Sequence, residues 1–242
     1  MIIPFTKKYH SYALFEDGFA SVCIDNKCGY IDKKGDIAIP IKYDDAGPFS
    51  EGFARVKINS KWGFIDKTGY EVIPLKYDNA YDFEDGFAGV KIASKWGFID
   101  KSGTLKIPLK YDDVIYFSGG LSIAEIASKW GYINTNGAVV IPFKYDAIWP
   151  FSEDRALVLT KDKFGYIDKN GIEVIAIKYD EAEPFSEGFA RVIINSNWGI
   201  INVNGTLIIQ QMYDEVWPFS EGRAMVTKNK KYGFVNKNGI IG

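Results

Sequence analysis

The stretch Lys95-Trp96-Gly97-Phe98-Ile99-Asp100-Lys101-Ser102-Gly103 decides the fold, because its pattern returns every 34 residues without a gap. The pattern is Gly-(Phe/Tyr/Ile)-(Ile/Val)-(Asp/Asn)-x-x-Gly, and seven copies of the period account for 238 of the 242 residues. A repeat of this length is one supersecondary unit, which buries its apolar face by stacking on its neighbours. We therefore predict that residues 1–242 form a single array of seven repeats. The first glycine of the pattern stands at Gly29, Gly63, Gly97, Gly131, Gly165, Gly199 and Gly233.

Two aromatic positions keep the same period and predict the core of each repeat. One directly precedes the repeat glycine, and the other is a tyrosine that an Asp follows in every copy but the first. Such positions are the ones that a repeat needs for stacking. The predicted core residues are Trp62, Trp96, Trp130, Phe164, Trp198 and Tyr232 at the first position, and Tyr43, Tyr77, Tyr111, Tyr145, Tyr179 and Tyr213 at the second.

The segment 53–66 predicts a β-hairpin. Its two halves are rich in β-forming residues, and Asn59-Ser60 separates them. An even-length turn there places Lys57 opposite Trp62 and Arg55 opposite Phe64, so the alkyl stems of the two cations lie over the rings.

A third strand is predicted over residues 70–77, after a turn that ends at Gly69. Pro74 cannot donate a hydrogen bond to a neighbouring strand, so we expect its side of the strand to be a sheet edge. Residues 78–86 are predicted to form a loop that points Phe83 inward. No segment has a 3.6-residue apolar period, which predicts an all-β fold of three-stranded units without helices.

The sequence is compatible with an open array and with a closed ring. We favour an open, twisted β-solenoid, because 34 residues supply about three strands whereas a propeller blade usually has four. The alternative is a closed seven-bladed ring, in which the N-terminal segment from Ile2 to Tyr9 completes the last unit.

Composition excludes several functions. The 29 Lys and Arg residues are balanced by 31 Asp and Glu, so the chain lacks the basic excess of a nucleic-acid-binding protein. No apolar run approaches the ~20 residues of a membrane span. The start of the sequence, residues 1–8, lacks the pattern of a signal peptide, which favours a cytoplasmic location.

The two cysteines, Cys23 and Cys28, are expected to face each other across a hairpin if Asp25-Asn26 forms the turn. Their Cα atoms would then be ~4.5 Å apart, within disulfide range. For a cytoplasmic protein we expect both thiols to stay reduced, with Cys28 as a small substitute for the usual tryptophan. Two thiols and a distant His10 do not make a four-ligand metal site, and no cofactor motif is present.

The Lys-Trp-Gly-Phe-Ile-Asp-Lys-x-Gly string at Lys61 and Lys95 closely resembles the WG-repeat (KWG-repeat) family of bacterial proteins. Ile-Pro-Leu-Lys-Tyr-Asp and Phe-Ser-Glu-Gly-Phe-Ala segments nearby strengthen the resemblance, which covers the whole chain. The resemblance implies a non-catalytic array of β-strands that acts in binding, and it carries over no ligand residues. The sequence departs from the pattern at Cys28, Phe164 and Tyr232, and in the copies that have Ala176 and Gln210 in place of proline.

No residue set predicts catalysis. His10 has no matched nucleophile and is interpreted as an ordinary surface residue. An acid–base pair needs two differently tuned carboxylates, whereas a repeat gives each copy a similar environment. We interpret the aspartates after the repeat tyrosines as Asx-turn residues that bond backbone amides. These are Asp44, Asp78, Asp112, Asp146, Asp180 and Asp214.

The most variable loop position offers the candidate binding residues. It reads Ala13, Gly47, Tyr81, Ile115, Trp149, Glu183 and Trp217 along the chain. Its aromatic members, Tyr81, Trp149 and Trp217, either contact a partner or fill gaps between adjacent units. The sequence thus favours a non-catalytic scaffold for protein–protein binding, with a carbohydrate- or cell-wall-binding module as the alternative.

Overall fold

The computed structural model describes residues 11, 12 and 14–239, and the side chains of all these except 11, 12 and 210–212. The regular elements are β-strands throughout, which confirms the all-β prediction. Within these residues no helix is long and apolar enough to cross a membrane. The predictions made for Ile2 to Tyr9, for His10 and for Ala13 lie outside the described residues.

The chain forms two compact units. The first extends to Ile126 and includes Ile133–Ala138, and the second comprises Ala127–Tyr132 and the chain from Val139 onward. The strands up to Ile126 are β1 (Ser11–Tyr12), β2 (Phe19–Ile24), β3 (Lys27–Asp32), β4 (Ile37–Tyr43), β5 (Asp45–Ser50), β6 (Phe53–Ile58), β7 (Lys61–Asp66), β8 (Glu71–Tyr77), β9 (Asn79–Ala80), β10 (Phe87–Ile92), β11 (Lys95–Asp100), β12 (Leu105–Tyr111), β13 (Asp113–Val114) and β14 (Leu121–Ile126).

The second half of the chain continues the same alternation of strands. These strands are β15 (Lys129–Asn134), β16 (Val139–Tyr145), β17 (Ala147–Ile148), β18 (Ala156–Thr160), β19 (Lys163–Ile167), β20 (Glu173–Tyr179), β21 (Glu181–Ala182), β22 (Phe189–Ile194), β23 (Asn197–Asn202), β24 (Leu207–Tyr213), β25 (Glu215–Val216), β26 (Arg223–Lys228) and β27 (Lys231–Asn236).

Each sheet is a small antiparallel meander. In the first unit the orders are β1-β2-β3-β4, β5-β6-β7-β8 and β9-β10-β11-β12, and in the second unit they include β17-β18-β19-β20 and β21-β22-β23-β24. The first strand of most sheets is only two residues long and lies in the segment that the sequence predicts to be a loop. The structure therefore adds a short fourth strand to the predicted three. The last sheet, β25-β26-β27, has three strands among the described residues.

The predicted hairpin register is confirmed. Lys57 pairs with Trp62 and Arg55 with Phe64. Asn59 and Ser60 both have positive φ, 50° and 64°, as a two-residue type I′ turn requires. This turn matches the right-handed twist of the strands, so it fixes which residues share a face.

The second turn and the sheet edge also follow the prediction. Gly69 has a φ of 83°, and its N–H donates to the carbonyl of Asp66 at 3.0 Å. Pro74 lies in β8, the last strand of the second sheet, where a missing donor costs no ladder bond.

Successive sheets stack through aromatic rings within each unit. In the first unit the buried ring of Phe83 lies 5.2 Å from Phe53 and 4.9 Å from Phe64 of the preceding sheet. In the second unit Phe185 contacts Tyr166 in the same way, with ring centroids 4.8 Å apart. The predicted inward position of Phe83 is therefore confirmed.

The predicted core tyrosines and tryptophans are buried to different degrees. Trp62 and Trp96 are buried, as are the tyrosines from Tyr43 to Tyr179, whereas Trp130, Phe164, Trp198 and Tyr213 are half-buried. Tyr232 does not belong to the core, because 74% of its surface is exposed. In five other sheets a tyrosine of the fourth strand pairs with this position, as Tyr77 does with Trp62, and the last sheet has three described strands.

The expectation of reduced cysteines is wrong for this structure. Cys23 and Cys28 form a disulfide. The predicted hairpin places them directly opposite each other in the ladder, with 4.0 Å between their Cα atoms. This proximity makes the bond sterically accessible.

Candidate functional site

The variable loop position continues the short first strand of its sheet. The N–H of Tyr81 donates to the carbonyl of Gly89 at 2.9 Å, and the N–H of Trp217 donates to that of Met225 at 2.9 Å. Trp149 makes the equivalent bond to Leu157. Each variable side chain therefore lies beside the side chain of the residue eight positions later, on the neighbouring strand.

Tyr81 packs on the repeat tryptophan of its own sheet. Its ring lies parallel to that of Trp96, with an interplanar angle of 5° and centroids 4.6 Å apart. The glycine at position 89 makes room for this stack, because a Cβ there would lie 3.0 Å from Tyr81 Cδ2. Tyr81 is half-buried, and this burial raises the pKa of its hydroxyl.

An arginine lies over the repeat tryptophan in two repeats whose variable residue is not aromatic, the repeats of Gly47 and Glu183. Beside Gly47, the Arg55 guanidinium lies 5.1 Å from the Trp62 ring, and its Nε donates to Asp82 Oδ1 at 2.8 Å. In the second unit, Arg191 lies 4.9 Å from the ring of Trp198, and its Nε donates to Glu183 at 2.7 Å. The variable residue and its partner eight positions later thus share the volume over one ring.

The three candidate aromatics have different surroundings. Tyr81 belongs to the first unit and is covered by Trp96, whereas Trp149 packs near Phe164 in the second unit, with centroids 5.8 Å apart. Trp217 differs, because it lines an open hollow of about 620 Å³ together with Pro218, Met225 and Phe234.

The recurring aspartates connect successive hairpins. Asp78 accepts a hydrogen bond from Lys61 Nζ at 2.5 Å and another from the N–H of Ala93, in a hairpin turn, at 2.8 Å. These bonds hold the pKa of Asp78 below its ordinary value, the bond from Lys61 contributing most. The aspartates do bond a backbone amide, but 15 residues later and not in their own turn. The Asx-turn interpretation is therefore wrong for them.

The aspartate that begins the second turn does cap its own turn. Asp66 Oδ1 accepts from the N–H of Thr68 at 2.8 Å and from that of Tyr70 at 3.1 Å. These bonds satisfy the turn amides, so this carboxylate has a structural role. Among the residues that the structure describes, no group of three or more His, Cys, Asp or Glu side chains is placed to hold a metal ion.

Exposed apolar side chains recur at or just before the start of the outer strands of the sheets, and we call this set the row. One or two residues after the turn glycine, successive repeats each carry one large apolar residue whose surface is between 42% and 70% exposed. Sequence reasoning missed this row because its members alternate between two adjacent positions. They are Ile37, Tyr70 and Leu105 in the first unit, and Val139, Ile172 and Leu207 in the second.

The sequence itself matches a known repeat family. Six consecutive copies of the WG containing repeat match residues 29–62, 62–96, 96–130, 130–164, 164–198 and 198–232. The chain belongs to the WG-repeat family. The resemblance that the Lys-Trp-Gly strings indicate is thereby confirmed. A search of curated proteins finds no match to the sequence.

Solved structures resemble this WG-repeat chain at low sequence identity. A eukaryotic initiation factor superposes with a TM-score of 0.57 and 10% identity, over 97% of this chain and 75% of that one. BamB from Moraxella catarrhalis gives 0.49 and 11%, over 94% and 80%, and Hsv2p from Kluyveromyces lactis gives 0.48 and 8%, over 95% and 93%. The likeness to the initiation factor concerns the fold alone.

One WG repeat contains a like-charge pair that its neighbours lack. Asp113 and Glu125 are directly opposite each other in β13 and β14, whereas the equivalent pair in the second sheet is Asp45 and Lys57. Partial burial raises the pKa of Glu125, and the charges of Asp113 and Asp112 raise it further. Like charges in this arrangement destabilise a sheet.

The substitution Glu125→Lys is expected to raise the free energy of unfolding by about 0.5–1 kcal/mol near neutral pH. A carboxyl whose pKa is raised on folding destabilises the folded state above that pKa and ceases to do so once protonated. The advantage of Glu125→Lys should therefore shrink as the pH falls through the raised pKa of Glu125. Urea unfolding at about pH 7 and about pH 4 measures both effects.

Glu181→Lys is the matched control for this change, because Glu181 lies opposite Ile193 and has no carboxylate as its cross-strand partner. An equal gain in both variants would show that the general reduction of negative charge, and not the cross-strand pair, is responsible.

Proposed function

We propose that this chain is a non-catalytic WG-repeat scaffold that binds another protein through the exposed apolar row on its outer strands. The row supports this proposal because it recurs in successive repeats with its side chains largely outside the core. Repeat proteins use such extended surfaces for partners that span several repeats. Large exposed apolar side chains that recur at the same place of a repeat are more typical of an interaction surface than single scattered ones.

The chemistry of the row favours a protein over a glycan as the partner. Its members are mostly branched aliphatic side chains, such as Ile37 and Leu105, which lack the flat ring on which a sugar stacks. The rings of Tyr81 and Trp149 are partly covered by their neighbours in the sheet. Charged residues flank the row, Asp36 beside Ile37 and Glu71 beside Tyr70, as at the polar rim of an interface.

The test is affinity capture from a lysate of the source organism, with the full chain as bait and mass spectrometry as readout. The variant Tyr70→Ser/Leu105→Ser should retain less than about a tenth of the protein bound by the wild type, since loss of two apolar anchors costs more than 1.4 kcal/mol. Glu71→Ser is the matched control, because it changes the residue next to Tyr70 and should leave capture unchanged.

Two results would contradict the proposal. Capture that is equal for the wild type and the Tyr70→Ser/Leu105→Ser variant would exclude the row. Retention of cell-wall polysaccharide without a specific protein would favour the glycan-binding alternative.

A further inference from the structure

We propose that the last sheet of one copy docks on the first sheet of a second copy, so that copies associate head to tail. The tail face is defined by Trp217, Glu221, Met225 and Phe234 of the last repeat. The head face is defined by Leu14, Phe15, Gly18 and Lys33 of the first repeat. This inference is independent of the partner protein proposed above.

The tail face is apolar and exposed, whereas the equivalent surface of earlier sheets is buried. Phe234 is 49% exposed, whereas Phe64 and Phe98, at the same repeat position, are fully buried. The hollow of about 620 Å³ lies directly beside Phe234 and is also lined by Trp217 and Met225. Apolar area of this kind is stabilised when another surface covers it.

The head face presents the ring that fits this surface. Within the first unit, Phe49 packs on Tyr30 of the preceding sheet with centroids 4.9 Å apart, and Phe83 packs on Phe64 in the same way. Phe15 is the residue that precedes Phe49 by one repeat, and it is 40% exposed. Docking of Phe15 on Phe234 of another copy would therefore continue the stacking that joins consecutive sheets.

A second pair of positions matches by polarity. Where the second sheet meets the third, Arg55 of the second sheet and Asp82 of the third form an ion pair at 2.8 Å. The residue equivalent to Arg55 on the tail face is Met225, and the residue equivalent to Asp82 on the head face is Leu14. Leu14 is 80% exposed, and Met225 lines the hollow. Because Met225 and Leu14 are both apolar, docking of the two faces would bury no unpaired charge at these positions.

A third pair of positions matches by charge. Glu51 accepts a hydrogen bond from the N–H of Gly86 in the next sheet at 3.0 Å, and Lys101 Nζ lies 3.2 Å from the same carboxylate. The equivalent residues at the ends are Glu221 on the tail face, and Gly18 and Lys33 on the head face. Within the described part of the chain, neither Glu221 nor Lys33 has an ion-pair partner.

These three matches define a heterologous contact, in which different surfaces of the two copies meet. Such a contact leaves one head face and one tail face vacant after each addition. The wild-type chain is therefore expected to form dimers and longer oligomers whose proportion rises with concentration.

Sedimentation velocity of three samples tests the proposal. Phe15→Glu removes the head face and Phe234→Glu removes the tail face, so each variant alone is expected to be monomeric. Each retains the face that the other lacks. An equimolar mixture of the two should therefore form a 1:1 dimer and nothing larger.

A charge exchange tests the contact at exposed positions, where folding is not at risk. Glu221→Lys should weaken self-association at least tenfold, and mixing Glu221→Lys with Lys33→Glu should restore dimers and longer oligomers, because every contact between the two variants again pairs a lysine with a glutamate. Lys34→Glu, at an exposed residue next to Lys33, is the matched control and should associate like the wild type.

A wild-type chain that stays monomeric up to millimolar concentration would overturn the proposal. Failure of the Phe15→Glu and Phe234→Glu mixture to dimerise would also overturn it, provided that circular dichroism shows both variants folded. Neither outcome bears on capture of a partner through the outer row.

Discussion

Replacing Trp96 with alanine is expected to lower the free energy of unfolding by about 3–5 kcal/mol, as for other large-to-small substitutions of buried aromatics. Only 3% of the Trp96 surface is exposed. One face of the ring stacks on Tyr81, and Lys91 Nζ lies 5.6 Å from its centroid. Alanine would lose the buried area and leave a cavity beneath Tyr81, so both the transfer cost and the cavity cost apply.

Tyr232→Ala is the matched control, because Tyr232 holds the same repeat position in the last sheet and is largely exposed. Chemical denaturation of both variants should show a loss below about 1 kcal/mol for Tyr232→Ala. A similarly small loss for Trp96→Ala would mean that the ring contributes little to the core, and would make it a candidate for partner binding.

Replacing Gly97 with alanine is expected to cost about 3 kcal/mol, the upper end for overpacking of a well-filled core. A Cβ on Gly97 would lie 2.9 Å from the backbone nitrogen of Leu109 and would also clash with the carbonyl oxygen of Ile107. Both atoms belong to β12, the neighbouring strand, and cannot move away as a flexible side chain would. The sheet would have to separate locally to admit one methyl group.

Gly233 provides the control for this prediction, since it occupies the same repeat position in the last sheet. A Cβ there would meet only the side chain of Val226, at an ordinary 3.8 Å. Gly233→Ala should therefore be close to neutral in thermal and urea unfolding. Equal losses at the two glycines would contradict the close approach of β12 as the reason for the requirement for glycine at position 97.

The hairpins and turns of this protein could be predicted because short-range rules decide them. Asn59-Ser60 fixes the pairing of Lys57 with Trp62, and Asp66 with Gly69 fixes the next reversal. The two-residue strand Asn79–Ala80 could not be predicted in this way. Its two pairs with β10 arise from the docking of a loop on an existing hairpin, and two residues carry no detectable alternation.

The candidate site could likewise be predicted only in part from the sequence. The sequence identifies Tyr81 as an unusual residue at a variable position, but its stack on Trp96 depends on the absence of a side chain at Gly89. The coupling of these positions can be read in the sequence afterwards, since Gly47 accompanies Arg55 as Tyr81 accompanies Gly89. Which of two neighbouring side chains fills the shared volume is a matter of packing between strands, which periodicity does not describe.

The sequence by itself determined the repeat, its family, the all-β class and the register of each hairpin, because these depend on residues close together in the chain. The tertiary structure alone decided how deeply each repeat position is buried. Trp96 and Tyr232 hold equivalent positions, yet one is enclosed and the other is exposed, because burial depends on which strands lie alongside. The same difference leaves Phe234 exposed where Phe98 is covered, and it creates the surface on which we expect a second copy to dock.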